Sequence, residues 1–250
     1  MIVGDTFQPG IFIDALGFIA DHPSFLAGKA LEQLTLSGAA LGLALLVALP
    51  FGIVLGHLHR GSGLAIGSSI FVRALPSLAA IAFLLPVLGI GFLNNAIALA
   101  ILAAGPLLTN SFEGVEQVDR DAVDAARGMG MSGGQILRRV ELPLAVPLLM
   151  TGIRVAAVTV VATAPIAAIA GGGGLGDVIV NQASYGTAGV IAGALMVTAL
   201  AFLVEGVFAV IQRLLTPRAL RHEEGPAELL APAIEGTCAT RRRNRQCEAP

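Results

Sequence analysis

The sequence predicts an all-α, polytopic transmembrane helical bundle. Apolar windows about 20 residues long recur along the chain, charge is concentrated in the intervals between them, and no stretch alternates with period two. The hydrophobic fraction is 55 %, the charged fraction 13 % and the mean hydropathy +0.82, outside the usual range of soluble domains. Five windows satisfy the length a bilayer core requires: 35–56, 64–88 interrupted by Arg73, 92–112, 144–170 interrupted by Arg154, and 187–210 interrupted by Glu205. Lipid offers backbone groups no partner, so each window must be helical, and its glycines and prolines must be absorbed by packing. Without alternation a barrel is excluded.

Residues 1–34 form an external segment. Their apolar stretch, 10–20, is broken by Asp14 and too short to span, so it reads as an interfacial helix and not as a secretory signal. The permeating domain is 35–217. Within it, small residues four apart, Gly38 with Gly42, Gly52 with Gly56, Gly63 with Gly67 and Gly189 with Gly193, mark places where helix backbones can approach.

Basic residues set the orientation. With the N-terminus outside and the C-terminus inside, Arg60, Arg120, Arg127, Arg138, Arg139, Arg213, Arg218 and Arg221 all fall in the cytoplasm and Lys29 alone lies outside. The interval 113–143 is then a cytoplasmic loop. Val118, Val123, Ala126, Met129 and Gly130 recur in it at short helical spacing, Gly130 stops that helix, Ser132, Gly133 and Gly134 turn the chain, and a second segment resumes at Gln135. On the other side, 171–186 is glycine-rich and reads as a flexible outer loop at the pathway exit, with Gly173, Gly174 and Gly176 as candidate gate residues. The stretch 218–250 lacks apolar periodicity and reads as a disordered tail. Cys238 and Cys247 fall in it, on the reducing side, and no disulfide is expected.

The loop carries the chemistry-bearing pattern. Asp124, Ala125 and Ala126 are followed after three residues by Gly130, and after nine more by Val140, one residue, then Leu142 and Pro143. This resembles the EAA loop of importer-type ATP-binding cassette permeases, with Asp for Glu and Val for Ile at two positions and the spacing kept. The small alanines suit a helix that seats closely in a groove, the glycine a chain reversal, and Leu142-Pro143 re-entry into the bilayer at a helix first turn. Arg127 pairs with Asp124 or with the docked partner. The segments 73–91, 124–154 and 160–177 are further similar to the permeases of glycine betaine, carnitine, choline and proline uptake systems. The glycine-rich stretch 171–177 is also similar to the outer loop of methionine permeases, so an amino acid such as methionine stays open as substrate.

The resemblance implies an importer-type permease fold with five core spans, a second permease copy or a paralogue, two copies of a cytosolic ATPase subunit, and an extracytoplasmic substrate-binding protein. ATP hydrolysis is expected on the separate subunit, because no GxxxxGK[ST] segment occurs in this chain. The glycines at 171, 173 and 176 follow an apolar helix, not a strand, so they do not read as a dinucleotide site. No cofactor, metal or nucleic acid is expected; His57 and His59 lack a third ligand.

Recognition of a quaternary ammonium group favours aromatic rings, yet tryptophan is absent and Tyr185 is the one tyrosine, so selectivity is assigned to the external partner. Arg73 and Arg154 are charges inside apolar windows, read either as gate or coupling contacts or as snorkelling side chains. Asn94, Asn95, Asn110 and Thr163 either line a polar path or bond helix to helix. Glu205 is the one carboxylate in a window that an ion-coupled secondary transporter would use.

Overall fold

The computed structural model describes residues 10–58, 63, 67, 70–72 and 74–215. The tail, both cysteines, Arg73, His59 and Arg60 lie outside the described residues, and so does part of the 64–88 window. Through Gln212 the chain forms one compact unit.

Helix α1, Gly10–Asp21, is the expected short N-terminal helix. It is followed by α2, Pro23–His57, which runs for 35 residues and begins 12 residues ahead of the apolar window. At 1.5 Å per residue α2 exceeds a hydrocarbon core, so its charged first turns extend past the apolar window. Next come α3, Ser77–Leu88, and α4, Phe92–Glu116, separated by Gly89 and Gly91, both at positive φ. Helix α4 is the central element. Asn94, Asn95, Leu99, Ala103, Leu107 and Phe112 on it are buried, and it packs between α2 and α7, Leu142–Thr163.

Close approach explains the central position of α4. A Cβ at Gly56 would stand 2.8 Å from the Phe112 carbonyl oxygen, and one at Gly52 would collide with Ser111, so α2 and α4 touch backbone to backbone. Gly152 of α7 meets Asn110 in the same way. A Cβ at Gly38 or Gly42 would meet nothing within 4 Å; that pair makes no such contact.

The loop 113–143 folds into α5, Arg120–Gly128, α6, Gly133–Ile136, and a single π-helical turn, Leu137–Glu141, which runs straight into α7. One expectation is corrected here. The turn after Gly130 is shorter than expected, because Ser132 caps α6 by donating its N–H to Gln135 Oε1 at 2.9 Å, so Gly133 and Gly134 are helical. Leu142 and Pro143 open α7 with the proline in its first turn, as expected, and the helix continues the π turn ahead of it. The wider π turn, in which Leu142 N–H reaches back five residues to the Leu137 carbonyl, absorbs the missing donor of Pro143 within a continuous rod.

After α7 the chain tightens into a 3₁₀ segment, Ala164–Ala170, and turns through glycines 171–174. The outer loop is not structureless. It holds α8, Leu175–Val180, and then α9, Gln182–Leu215, which is kinked at Gly186 (φ +66°). Among the described residues four helical stretches are long and apolar enough to cross a membrane: Pro23–His57, Phe92–Glu116, Gly133–Ala170 and Gln182–Leu215. Phe83, Val87, Phe202 and Leu203 point outward, as a lipid-facing surface requires.

Candidate functional site

Helix α5 is capped at both ends by its own sequence. Asp119 Oδ1 accepts the Asp121 N–H at 2.9 Å. At the other end Gly130, at φ +80°, donates to the Arg127 carbonyl at 2.9 Å while Met131 N–H reaches the Ala126 carbonyl at 3.2 Å, the Schellman pattern that reverses the chain. Val123 and Ala126 face inward onto Val118 and Ile136, with Val140 and Met131 packed at the edge. Asp124, Ala125 and Arg127 face outward. The alanine pair is thereby split: Ala126 seats the helix on its own fold and Ala125 remains on the outer face. Asp124 and Arg127 approach at 3.4 Å, but with about two thirds of each side chain exposed the pair adds little stability and leaves both charges available to a partner.

Beside α5 opens a cleft of about 510 Å³ lined by His57, Leu58, Arg120, Val123, Asp124 and Arg127. At its base the His57 Nδ1 lies 2.6 Å from Oε2 of Glu141, whose side chain is buried. Among the described residues no cluster of ligands could hold a metal.

At the opposite end of the bundle, the glycine-rich turn is clasped to α2. Gly174 N–H donates to Glu32 Oε2 at 3.0 Å, and Lys29 Nζ bridges Glu32 at 3.0 Å and Asp177 at 2.8 Å. One turn along, Gln33 Nε2 donates to the Val161 carbonyl of α7 at 3.0 Å. The Gly174 N–H, then Lys29, hold the Glu32 carboxyl below its usual range, and Asp177 foremost raises Lys29. Gly173 and Gly174 are at positive φ, and a Cβ at Gly174 would press on the Gln33 backbone. Gly176 packs on the Pro165 carbonyl. The expected flexible loop is therefore a fastened one.

Between these ends, Arg154 of α7 reaches sideways to α9. Its Nε donates to Glu205 Oε1 at 2.7 Å, its Nη2 also meets that carboxylate, and Nη1 donates to Gln212 Oε1 at 3.3 Å. Gln212 Nε2 in turn donates to Thr151 Oγ1 at 3.0 Å. Arg154 is thus paired with Glu205 and Gln212 of α9. On another face a cavity of about 360 Å³ is lined by Val72, Leu75, Ser77, Leu102, Pro106, Val155, Thr159 and Thr163. Asn95 joins α4 to the Ala170 carbonyl at 3.1 Å and Asn94 reaches Ile81 at 3.4 Å, so both bond helix to helix and do not line a path, while Asn110 turns back to its own helix.

Residues 48–220 match the family described as binding-protein-dependent transport system inner membrane component. This chain belongs to that family. The permease is 37 % identical over 205 residues to the glycine betaine/carnitine/choline transport system permease protein OpuCB of Bacillus subtilis, covering 82 % of this chain and 94 % of the relative. It is 38 % identical over 205 residues to the choline transport system permease protein OpuBB of the same organism, with the same coverage. Its fold is shared with an inward-facing methionine transporter, MetNI, at a TM-score of 0.67 and 21 % identity, over 77 % of this chain and 96 % of that one.

In the permease, the residues singled out from the loop pattern come together as one element, α5 with its return to α7. Gly173, Gly174 and Gly176, expected as gate residues, form a second, separate group. Sequence reasoning missed Glu32, Gln33 and Asp177, which look like ordinary helix-end polar residues, and it missed the His57 to Glu141 pair, which are 84 positions apart. A single buried acid directly ahead of Leu142-Pro143 was the one available signal.

Proposed function

We propose that this permease is the membrane subunit through which an ATP-binding cassette importer moves an osmoprotectant such as glycine betaine, carnitine, choline or proline. The observation that carries the reading is α5: a short helix, doubly capped, seated by Val123 and Ala126 and presenting Asp124, Ala125 and Arg127 outward from the junction of α4 and α7. Its spaced pattern is that of a helix grasped by a motor domain. The names of the relatives support the substrate class.

In this reading five spans cross the membrane with the N-terminus outside, 1–34 is external, 35–217 is the permeating domain and 218–250 is a cytoplasmic tail. Two ATPase subunits hydrolyse ATP on the α5 side, this chain is not itself an enzyme, and a binding protein delivers solute at the clasped outer end. A second permease copy or a paralogue completes the pathway. ATP binding closes the motor, displaces the segment from Asp124 to Gly130 with its return through Val140, Leu142 and Pro143, and swings the spans from inward- to outward-facing. Gly173, Gly174 and Gly176 belong to the outer gate. Among the described residues no aromatic ring lines the 360 Å³ cavity, which supports leaving selectivity to the external protein.

The test is uptake by proteoliposomes holding the permease, its ATPase and its binding protein. Labelled betaine, choline, carnitine and proline are expected to accumulate with ATP and methionine is not; methionine uptake in their place overturns the substrate class. Gly130→Lys or Ala126→Lys should abolish uptake while insertion persists, and uptake at the normal rate in those variants overturns the coupling role.

A further inference from the structure

Helix α5 has two covalent routes into the bundle, back through Gln117 to α4 and forward through α6 and the π turn to α7. Helix α2 has neither, yet it runs for 35 residues and carries the outer clasp at its far end. We propose that His57 is the positioning residue that makes the end of α2 travel with α5, so that motion at the motor reaches the first long helix directly. The inference rests on the reading of α5 as the motor's handle and adds a second output to it.

The geometry is specific. His57 is the last residue of α2. Its Nδ1 meets Glu141 Oε2 at 2.6 Å, and its Nε2 lies against the start of α6, where a Cβ on Gly133 would stand 3.5 Å away. The imidazole is therefore held between the two ends of the segment that returns from α5 to α7. The Glu141 side chain is 2 % exposed, and a carboxylate so placed is retained only with a hydrogen-bonding partner. The partner comes from α2. The acid also sits on the one π turn among the described residues, a local widening of the helix that needs something to hold it. One residue before the end of α2, Gly56 lets the helix touch α4 at Phe112 and Val115. The end of α2 thus grips both α4 and the return segment, and the three move as a block.

Removing only one partner would strand a buried carboxylate and risk misfolding, so the test removes both, His57→Leu with Glu141→Leu, and compares His57→Asn, whose side-chain nitrogen occupies nearly the same place as Nδ1. In the reconstituted transporter the double variant is expected to carry about tenfold less solute per ATP hydrolysed, within the usual size of coupling between sites. His57→Asn should restore at least half of that ratio. Unchanged solute per ATP in the double variant, or no rescue by asparagine, overturns the inference.

A second measurement needs neither variant. Spin labels at Leu58→Cys and Met129→Cys, both exposed positions, are placed on a background of Cys238→Ser and Cys247→Ser. Their separation should stay constant when ATP binds, whereas labels that part on ATP binding overturn the block. Should the ATPase subunits fail to co-purify with the unmodified permease, the handle reading itself falls; should they co-purify while the labels part, the inference alone falls.

Discussion

The guanidinium of Arg154 on α7 closes on the carboxylate of Glu205 on α9, with Nε to Oε1 at 2.7 Å, and joins two long helices at the one charge that interrupts each apolar window. Either charge alone at that depth costs about 2.5–3.5 kcal/mol on insertion scales. Together they neutralise each other and exchange hydrogen bonds, and Gln212 with Thr151 extends the link towards the α5 end.

Stability should therefore respond to these two side chains in a strongly non-additive way. Arg154→Leu or Glu205→Leu alone is expected to lower the stability of the detergent-solubilised permease by about 2–3 kcal/mol, and the double change by less than about 1 kcal/mol. Thermal unfolding followed by loss of monodisperse protein measures all three. Additive losses would mean that the charges do not depend on each other.

How much of this was legible in the sequence depends on whether the signal is local. The four long apolar helices were legible because an apolar window of sufficient length has one solution in lipid, and the α5 pattern was legible because capping and chain reversal are written within a dozen residues, from Asp119 to Met131. The Gly52 and Gly56 pair could be named but not told apart from Gly38 and Gly42. What separates them is the presence of α4 against one and open space against the other. The Arg154 to Glu205 pair was invisible as a pair for the same reason: each residue was noticed alone, and only tertiary packing brings positions 51 apart together. The fastening of the glycine-rich loop 171–186 was not legible because glycine richness signals freedom of the backbone, while the residues that remove that freedom, Lys29 and Glu32, lie on another helix.

That clasp predicts a protection pattern. In the native permease the Gly174 N–H is engaged by Glu32, so deuterium exchange at 171–176 should be slow, and Glu32→Gln should speed it by about tenfold as one charge-assisted bond weakens. Glu32 lies ahead of the uncharged window, where pH can act on it. Its pKa is lowered, so its contribution is present above the unfolded value and is lost only as pH falls through the lower, folded one. Lys29 is raised above 10.5, so its contribution persists below that value and disappears only as pH climbs through the raised one. Once the intrinsic pH dependence of exchange is divided out, protection at 171–176 should be flat between pH 5 and pH 9. A drop near neutrality would show that some other group holds the loop.

The cavity between α3, α4 and α7 supports a last prediction, because its lining is apolar apart from three hydroxyls and carries no charge among the described residues. Two of those hydroxyls are already committed as donors, Thr159 to the Val155 carbonyl at 2.7 Å and Thr163 to the Thr159 carbonyl at 2.7 Å, so the wall offers a cation acceptor lone pairs and little else. A surface of this kind holds a quaternary ammonium weakly, which suits a passage that must release what it receives. Filling it should block passage without touching the motor. Thr159→Phe is expected to cut uptake by more than about tenfold while the ATPase subunits still co-purify, because a ring of that size takes up much of the space and cannot leave the helix face. Thr159→Val, which keeps the shape and removes the hydroxyl, should change uptake by less than about threefold, since its donor was spent within the helix. Equal and severe losses in both variants would assign the hydroxyl a direct contact with solute, and normal uptake in Thr159→Phe would move the pathway to another face of the bundle.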